Sequence, residues 1–269
     1  MSRLDAIFAR GHKALLAYLC VGDPSADESV ELALACVGAG ADVLELGVPF
    51  SDPTADGPAI ARASQRAIAA GGGLEATLRV ASTIRAAEPD VGLVLFGYYN
   101  PLFVRGELRV ASDAARSGVD ALLVVDLPVE ESGPLRSAAS AHGLGVIPLL
   151  APTSRAERVA ATKRAAASAT FPFVYYVSLT GVTGSDAIDL REAGLRASQL
   201  RAELQRPVVV GFGIDSGEKA RAAAQHADGV AVGTALVRAI EGGHSRPERR
   251  AAIERLVREL RLGVDQAGR

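Results

Sequence analysis

The chain has 269 residues, 49% of them hydrophobic, 4% aromatic and none Trp, enough apolar material for a large aliphatic core and a length that fits one α/β barrel. With 29 basic against 31 acidic residues it carries no electrostatic footprint for nucleic acid or an anionic membrane. No apolar run approaches the roughly 18 residues of a membrane helix, and two cysteines, Cys20 and Cys36, without metal spacing point to a reduced, cytoplasmic setting.

In chain order, a short helix is expected over 3–10 and an apolar strand over 15–21. The apolar run at 14–21 is followed by Gly22-Asp23-Pro24, a turn and not a leader cleavage site. A helix over 27–39 leads to a strand at 43–47, then helices at 58–70 and 74–87 and a strand at 92–98. The alternation continues with helix 108–117, strand 121–125, helix 131–142, strand 145–150, helix 154–167, strand 173–178, helix 191–205, strand 208–211, helix 217–225 and strand 229–232. A helix over 247–262 closes the series. Eight short runs, apolar on both faces and separated by amphipathic stretches, require a parallel sheet with crossover helices. Closed on itself, this is a (β/α)8 TIM barrel with extra helices, an open doubly wound sheet being the second choice. No linker interrupts residues 1–269, so a single barrel domain is expected.

In such a barrel the loops after the strands build the active site, and phosphate commonly sits after the last two strands. Here those strands end in Gly211-Phe212-Gly213-Ile214 and Val232-Gly233-Thr234-Ala235, the latter opening a helix that Thr234 is expected to cap. Strand 43–47 carries an acid, Glu45, among Leu44, Leu46 and Val48, where desolvation raises a carboxyl pKa and suits it to acid–base work; a buried acid paired across the barrel is the plainer reading. Asp52 and Asp56 follow on the next loop. Asp52 before Pro53 reads as a turn former, and Asp56 before Gly57-Pro58 also reads as a helix cap. The lysines, Lys13, Lys163 and Lys219, and the histidines, His12, His142, His226 and His244, are poorly placed for a Schiff base or a metal, so carboxylates remain. Residues 178–185 form a glycine-bearing loop that reads equally as a lid or a plain connection. Tyr18, Phe96, Tyr98, Tyr175 and Phe212 gather near strand ends, as core filling or as a slot for a flat apolar group. Carbon–carbon cleavage without lysine or metal needs a substrate that is its own electron sink, and an indole ring protonated at C3 is one.

The stretch LELGVPFSDPTADGP at residues 44–58 is similar to the signature of the tryptophan synthase alpha chain family. Gly22-Asp23-Pro24, Gly97-Tyr98-Tyr99-Asn100-Pro101, residues 126–131 (DLPVEE), residues 181–184 (GVTG) and Gly211-Phe212-Gly213-Ile214 extend the resemblance along almost the whole chain. It implies a lyase that cleaves indole-3-glycerol phosphate to indole and glyceraldehyde 3-phosphate. By resemblance Glu45 is the general acid–base, Asp56 holds the indole N–H, and Thr183 orients Asp56. Gly184, Gly213, Gly233 and Thr234 hold the phosphate, and Tyr18, Phe96, Leu123, Tyr98 and Tyr175 lie near the substrate. It further implies a beta chain partner in an α2β2 heterotetramer, facing Asp52, Pro53, Asn100 and Pro128. The pyridoxal phosphate belongs to that partner, and this chain holds no cofactor and no metal. The chain departs from the family at Thr54, Cys20 and Ala17, none of which is an acid of the site. A sugar-phosphate isomerase or epimerase, a non-catalytic activating subunit, and a stand-alone indole-producing lyase are the other readings.

Overall fold

Every apolar run bounded by turn residues becomes a strand, because backbone taken out of water must find its hydrogen bonds in a ladder. The structure, a computed structural model, describes residues 2–167, 171–177, 190–211 and 213–267. Among these, the strands are β1 (Ala14–Cys20), β2 (Val43–Gly47), β3 (Gly92–Gly97), β4 (Ala121–Val124), β5 (Gly145–Val146), β6 (Leu149–Leu150), β7 (Val174–Val177), β8 (Val208–Gly211) and β9 (Gly229–Val232). The helices are α1 (Arg3–Phe8), α2 (Ala26–Gly38), α3 (Pro58–Ala69), α4 (Leu74–Ala87), α5 (Tyr99–Arg105), α6 (Glu107–Arg116), α7 (Gly133–Ala141), α8 (Ala156–Ala166), α9 (Leu190–Leu204), α10 (Gly217–Ala224), α11 (Thr234–Glu241) and α12 (Arg246–Ala267).

All strand pairs are parallel, in the order β5-β4-β3-β2-β1-β9-β8-β7-β6. The two ends of this order, β5 and β6, are halves of one run. β5 pairs with β4, β6 pairs with β7, and Ile147-Pro148 joins them, so the sheet closes into a (β/α)8 TIM barrel. The strand expected over 145–150 is split because Pro148 has no N–H to give the ladder. Its neighbours keep the seam: Ile147 N donates to Leu122 O at 2.8 Å, and Pro148 O accepts from Tyr175 N at 3.0 Å.

Side chains alternate across each strand. One set, including Leu15, Leu44, Leu93, Leu122, Val174, Val208 and Val230, packs outward under the helices. The other, including Leu16, Val43, Val94, Leu123, Ile147, Phe173, Val209 and Ala231, fills the barrel. At the foot of the barrel an aspartate before a strand repeatedly accepts an amide, the first or second, of a neighbouring strand. Asp42 takes Leu15 N, Asp120 takes Leu93 N and Asp228 takes Val208 N, each near 2.9 Å. An arginine pairs with each: Arg261, Arg85 and Arg201.

Three element expectations need correction. Residues 99–105, for which no helix is expected and whose first three belong to the Gly97–Pro101 motif, form α5; Pro101 lies in its first turn, where a missing N–H costs nothing, and Gly106 at φ 89° ends it. The helix expected from 131 starts at Gly133, because Glu131 N and Ser132 N turn back on Pro128 O. Thr234 does not cap α11: Gly233 is the N-cap, no side chain caps it, and Thr234 is the first helical residue. Among the described residues no helix is long and apolar enough to cross a membrane.

Candidate active site

Strand parity decides where Glu45 points. It shares the inward set of β2 with Val43 and Gly47 and stands in register with Tyr18 of β1 and Val94 of β3. The residue is 1% exposed, its Oε1 has no hydrogen-bond partner, and no ion pair among the described residues includes it. The paired-acid reading therefore finds no support. Burial alone raises the Glu45 carboxyl to about 8, so the resting group carries its proton at neutral pH.

Around Glu45 several inward positions towards the mouth are aromatic or glycine. Tyr18 and Phe96, on the strands flanking β2, meet edge to face with centroids 5.1 Å apart. The Tyr18 ring lies over Gly47, and the Tyr175 ring over Gly211; a Cβ on either glycine would collide with the ring. Sequence reading assigned these two glycines no such part, though each aligns in parity with the ring it seats. Leu123 is fully buried in the barrel interior, with Phe96 and Tyr175 packed against the same cluster. Tyr18, Glu45, Phe96, Leu123 and Tyr175 thus form one inward layer at the C-terminal mouth.

Asp56 stands beside this layer, half-buried. Gly57, not Asp56, is the N-cap of α3, and no side chain caps that helix, so the capping role is excluded. The Tyr98 hydroxyl accepts a hydrogen bond from Ala55 N at 2.9 Å and donates to Asp56. Burial raises the Asp56 carboxyl to about 6, with the Tyr98 bond opposing the rise, which leaves it ionised at neutral pH. This clamp was not legible in sequence: Tyr98 and Ala55 are 43 positions apart. Phe50 packs on the Tyr98 ring at 5.2 Å. Asp52 keeps its turn role, its carbonyl accepting from Thr54 N at 2.9 Å.

The glycine-bearing ends of β8 and β9 lie across the mouth. Gly213 adopts φ 70°, a left-handed conformation that a side chain would strain. Gly233 and Thr234 open α11 with uncapped N–H groups, a site that favours an anion. Thr183, Gly184 and Phe212 lie outside the described residues. The lysines are elsewhere: Lys13 precedes β1 at the foot of the barrel, Lys163 is on α8, and Lys219 pairs with Asp215 at 2.8 Å.

A parallel barrel with a buried protonated carboxyl, an ionised second acid and an anion cradle at its C-terminal mouth defines a class: a barrel enzyme working by carboxyl acid–base chemistry on a phosphorylated substrate. A sequence model of the tryptophan synthase alpha chain family matches residues 4–264. The tryptophan synthase alpha chain of Geobacter sp. (strain M21) is 48% identical over 245 residues, 90% of each chain. That of Laribacter hongkongensis (strain HLHK9) is 45% identical over 264 residues, 98% of this chain and 97% of the other. Tryptophan synthase subunit alpha from Legionella pneumophila str. Paris superposes with a TM-score of 0.89 at 35% identity, covering 99% of both chains. The chain belongs to the tryptophan synthase alpha chain family and is a lyase of its alpha reaction, the retro-aldol cleavage of indole-3-glycerol phosphate to indole and glyceraldehyde 3-phosphate. This removes the sugar-phosphate isomerase and non-catalytic readings.

Proposed function

We propose that Glu45 carries the proton in this reaction, and the observation that carries the assignment is its buried, unpartnered Oε1 in the inward layer of the barrel. Entering protonated, the carboxyl gives its proton to indole C3, which turns the ring into an iminium electron sink. The bond from C3 to the glycerol carbon then breaks into that sink. The new Glu45 carboxylate takes the proton of the adjacent hydroxyl as the aldehyde forms, and the acid is restored. Asp56, ionised and held by Tyr98, accepts the indole N–H bond, which strengthens as positive charge grows on the ring. Tyr18, Phe96, Tyr98, Leu123 and Tyr175 enclose the ring, and Gly213, Gly233 and Thr234 take the phosphate. Thr183 as the residue that orients Asp56, and Gly184 at the phosphate, rest on the family resemblance alone.

The whole chain acts as one barrel domain, needs no metal or cofactor of its own, and works with a beta chain in an α2β2 heterotetramer whose pyridoxal phosphate sits in that partner. Support for a partner comes from Phe103, Val104 and Leu108, which are 63%, 77% and 68% exposed. They lie beside Asn100 on α5 and at the start of α6, an apolar patch that water disfavours and a protein chain would cover. Sequence reading missed Phe103 and Val104 because α5 was not expected as a helix, and it placed Leu108 at the start of the helix over 108–117 without giving it a role. The free, buried Cys20 and Cys36 fit a cytoplasmic enzyme.

The test is indole release by wild type and Glu45→Gln side by side. The variant keeps its fold and its affinity for glycerol 3-phosphate but loses at least about 100-fold in kcat. Substantial turnover by the variant would remove Glu45 from the proton path. Turnover by wild type equal with and without the beta chain, and no complex between them, would favour a stand-alone lyase.

A further inference from the structure

The mouth of the barrel carries a charged strap that the chemistry above does not use. Asp23, in the loop after β1 and 3% exposed, is held by two of the three arms of Arg66: Nε donates to Oδ1 and Nη2 to Oδ2, each at 2.8 Å. The remaining arm, Nη1, donates to Glu241 Oε1 at 2.8 Å. Glu241 in turn receives a bidentate pair from Arg62, Nε to Oε1 and Nη2 to Oε2, again at 2.8 Å. These bonds, Arg62's first, hold the Glu241 carboxyl down near 2, so the strap stays charged throughout the neutral range.

The positions of its members give it a purpose. Arg62 and Arg66 are on α3, whose first turn follows directly on Asp56. Glu241 is the last residue of α11, whose first turn is Gly233-Thr234. Asp23 lies three residues beyond Cys20, the last residue of the strand that carries Tyr18. Beneath the strap α3 presents Ala59, Ala63 and Ala67 to Tyr18, Cys20 and Val237. Methyl groups interlock weakly and resist sliding poorly, whereas a planar guanidinium held by two carboxylates has one geometry.

We infer that Arg66 is a positioning residue that fixes the separation between the acid at the head of α3 and the anion cradle at the head of α11, so that a substrate must fit both ends at once. This rests on the assignments of Asp56 to the indole and of Gly233-Thr234 to the phosphate made above. A small misplacement between two grips costs little to a ligand that uses one of them and much to a ligand that spans both.

The experiment compares two ligands on the full chain: glycerol 3-phosphate, which reaches only the cradle, and an indol-3-yl alkyl phosphate lacking the hydroxyl at the cleaved bond, which spans both ends. Two variants are used. Arg66→Lys keeps a charge beside Asp23 but cannot fork to both acids, and Glu241→Gln frees α11 while leaving the buried pair intact. Each is expected to weaken the spanning ligand and lower kcat/KM by about tenfold while moving glycerol 3-phosphate by less than about twofold. A lower Tm with the ratio of the two affinities unchanged would reduce the strap to a structural tie and overturn the inference, as would equal weakening of both ligands. If Arg66→Lys does not fold, Glu241→Gln decides alone. Failure of the site assignment shows instead in the wild type, which would bind both ligands equally, and the inference would fall with it.

Discussion

At the scale of single residues the unusual feature is an acid held without a partner. A carboxyl raised from 4.5 to about 8 by burial is bound to its proton in the folded state over a pH range where the unfolded chain has released it. Between those values the native state binds more protons than the unfolded one, so stability falls as pH rises through the window and levels off above it. Glu45→Gln removes the titration. We therefore expect the variant to match wild type near pH 4.5 and to exceed it by about 3–5 kcal/mol at pH 8 and above, read by urea unfolding across pH. Parallel stability curves would show a solvated carboxylate and contradict the buried geometry. The same ionisation limits catalysis, since loss of the proton above about 8 removes the acid needed at C3, and indole release should decline there. A less stable native state is thus tied to the reactive group, as at many sites where a polar group is kept unpaired.

At the scale of elements, function and stability separate to opposite ends of the strands. The mouth holds Glu45, Asp56 and the glycines under the rings; the foot holds the aspartate–arginine knots. Asp120 is the most enclosed of these: it accepts Leu93 N and Arg85 Nη2, each at 2.8 Å, and the exposed Arg3 at 3.0 Å. Asp120→Ala leaves a strand amide and a largely buried guanidinium short of an acceptor, at a cost of about 3 kcal/mol. The expected result is a lower urea midpoint with kcat and KM unchanged per folded molecule. A kinetic defect at full folding would mean that the foot communicates with the mouth.

For the whole molecule, the exposed apolar patch is the feature that a solitary chain explains least. Phe103→Asp places a charge at the centre of a surface that a partner must dry, which should weaken association with the beta chain by on the order of 100-fold while leaving the isolated chain's Tm within a few degrees. Gel filtration of the mixed chains, with indole release measured alone and in complex, checks both parts. Unchanged association would move the interface elsewhere. Of the residues that the family resemblance turns towards the partner, Asn100 lies on α5 itself, and Asp52 and Pro53 lie on the loop after the adjacent strand β2.

Much of this was written along the chain itself. Continuous apolar runs alternate with stretches of period three-to-four because a closed parallel sheet is covered on both faces while its helices meet water on one, so element type and order follow from local pattern. The acid in β2 is conspicuous for the same reason, as the only charge in a run that should have none. What local pattern could not supply were relations between distant residues. The Tyr98 clamp on Ala55 and Asp56, the seating of Tyr18 on Gly47, and the reach of Arg66 from Asp23 to Glu241 each join positions 29 to 218 apart in the chain. Barrel closure through Pro148 likewise appears only once β4 and β7 are in place on either side. Periodicity records which face of an element avoids water; which partner lies across that face is settled by the packing of the whole, where hydrogen bonds and ring contacts find their mates.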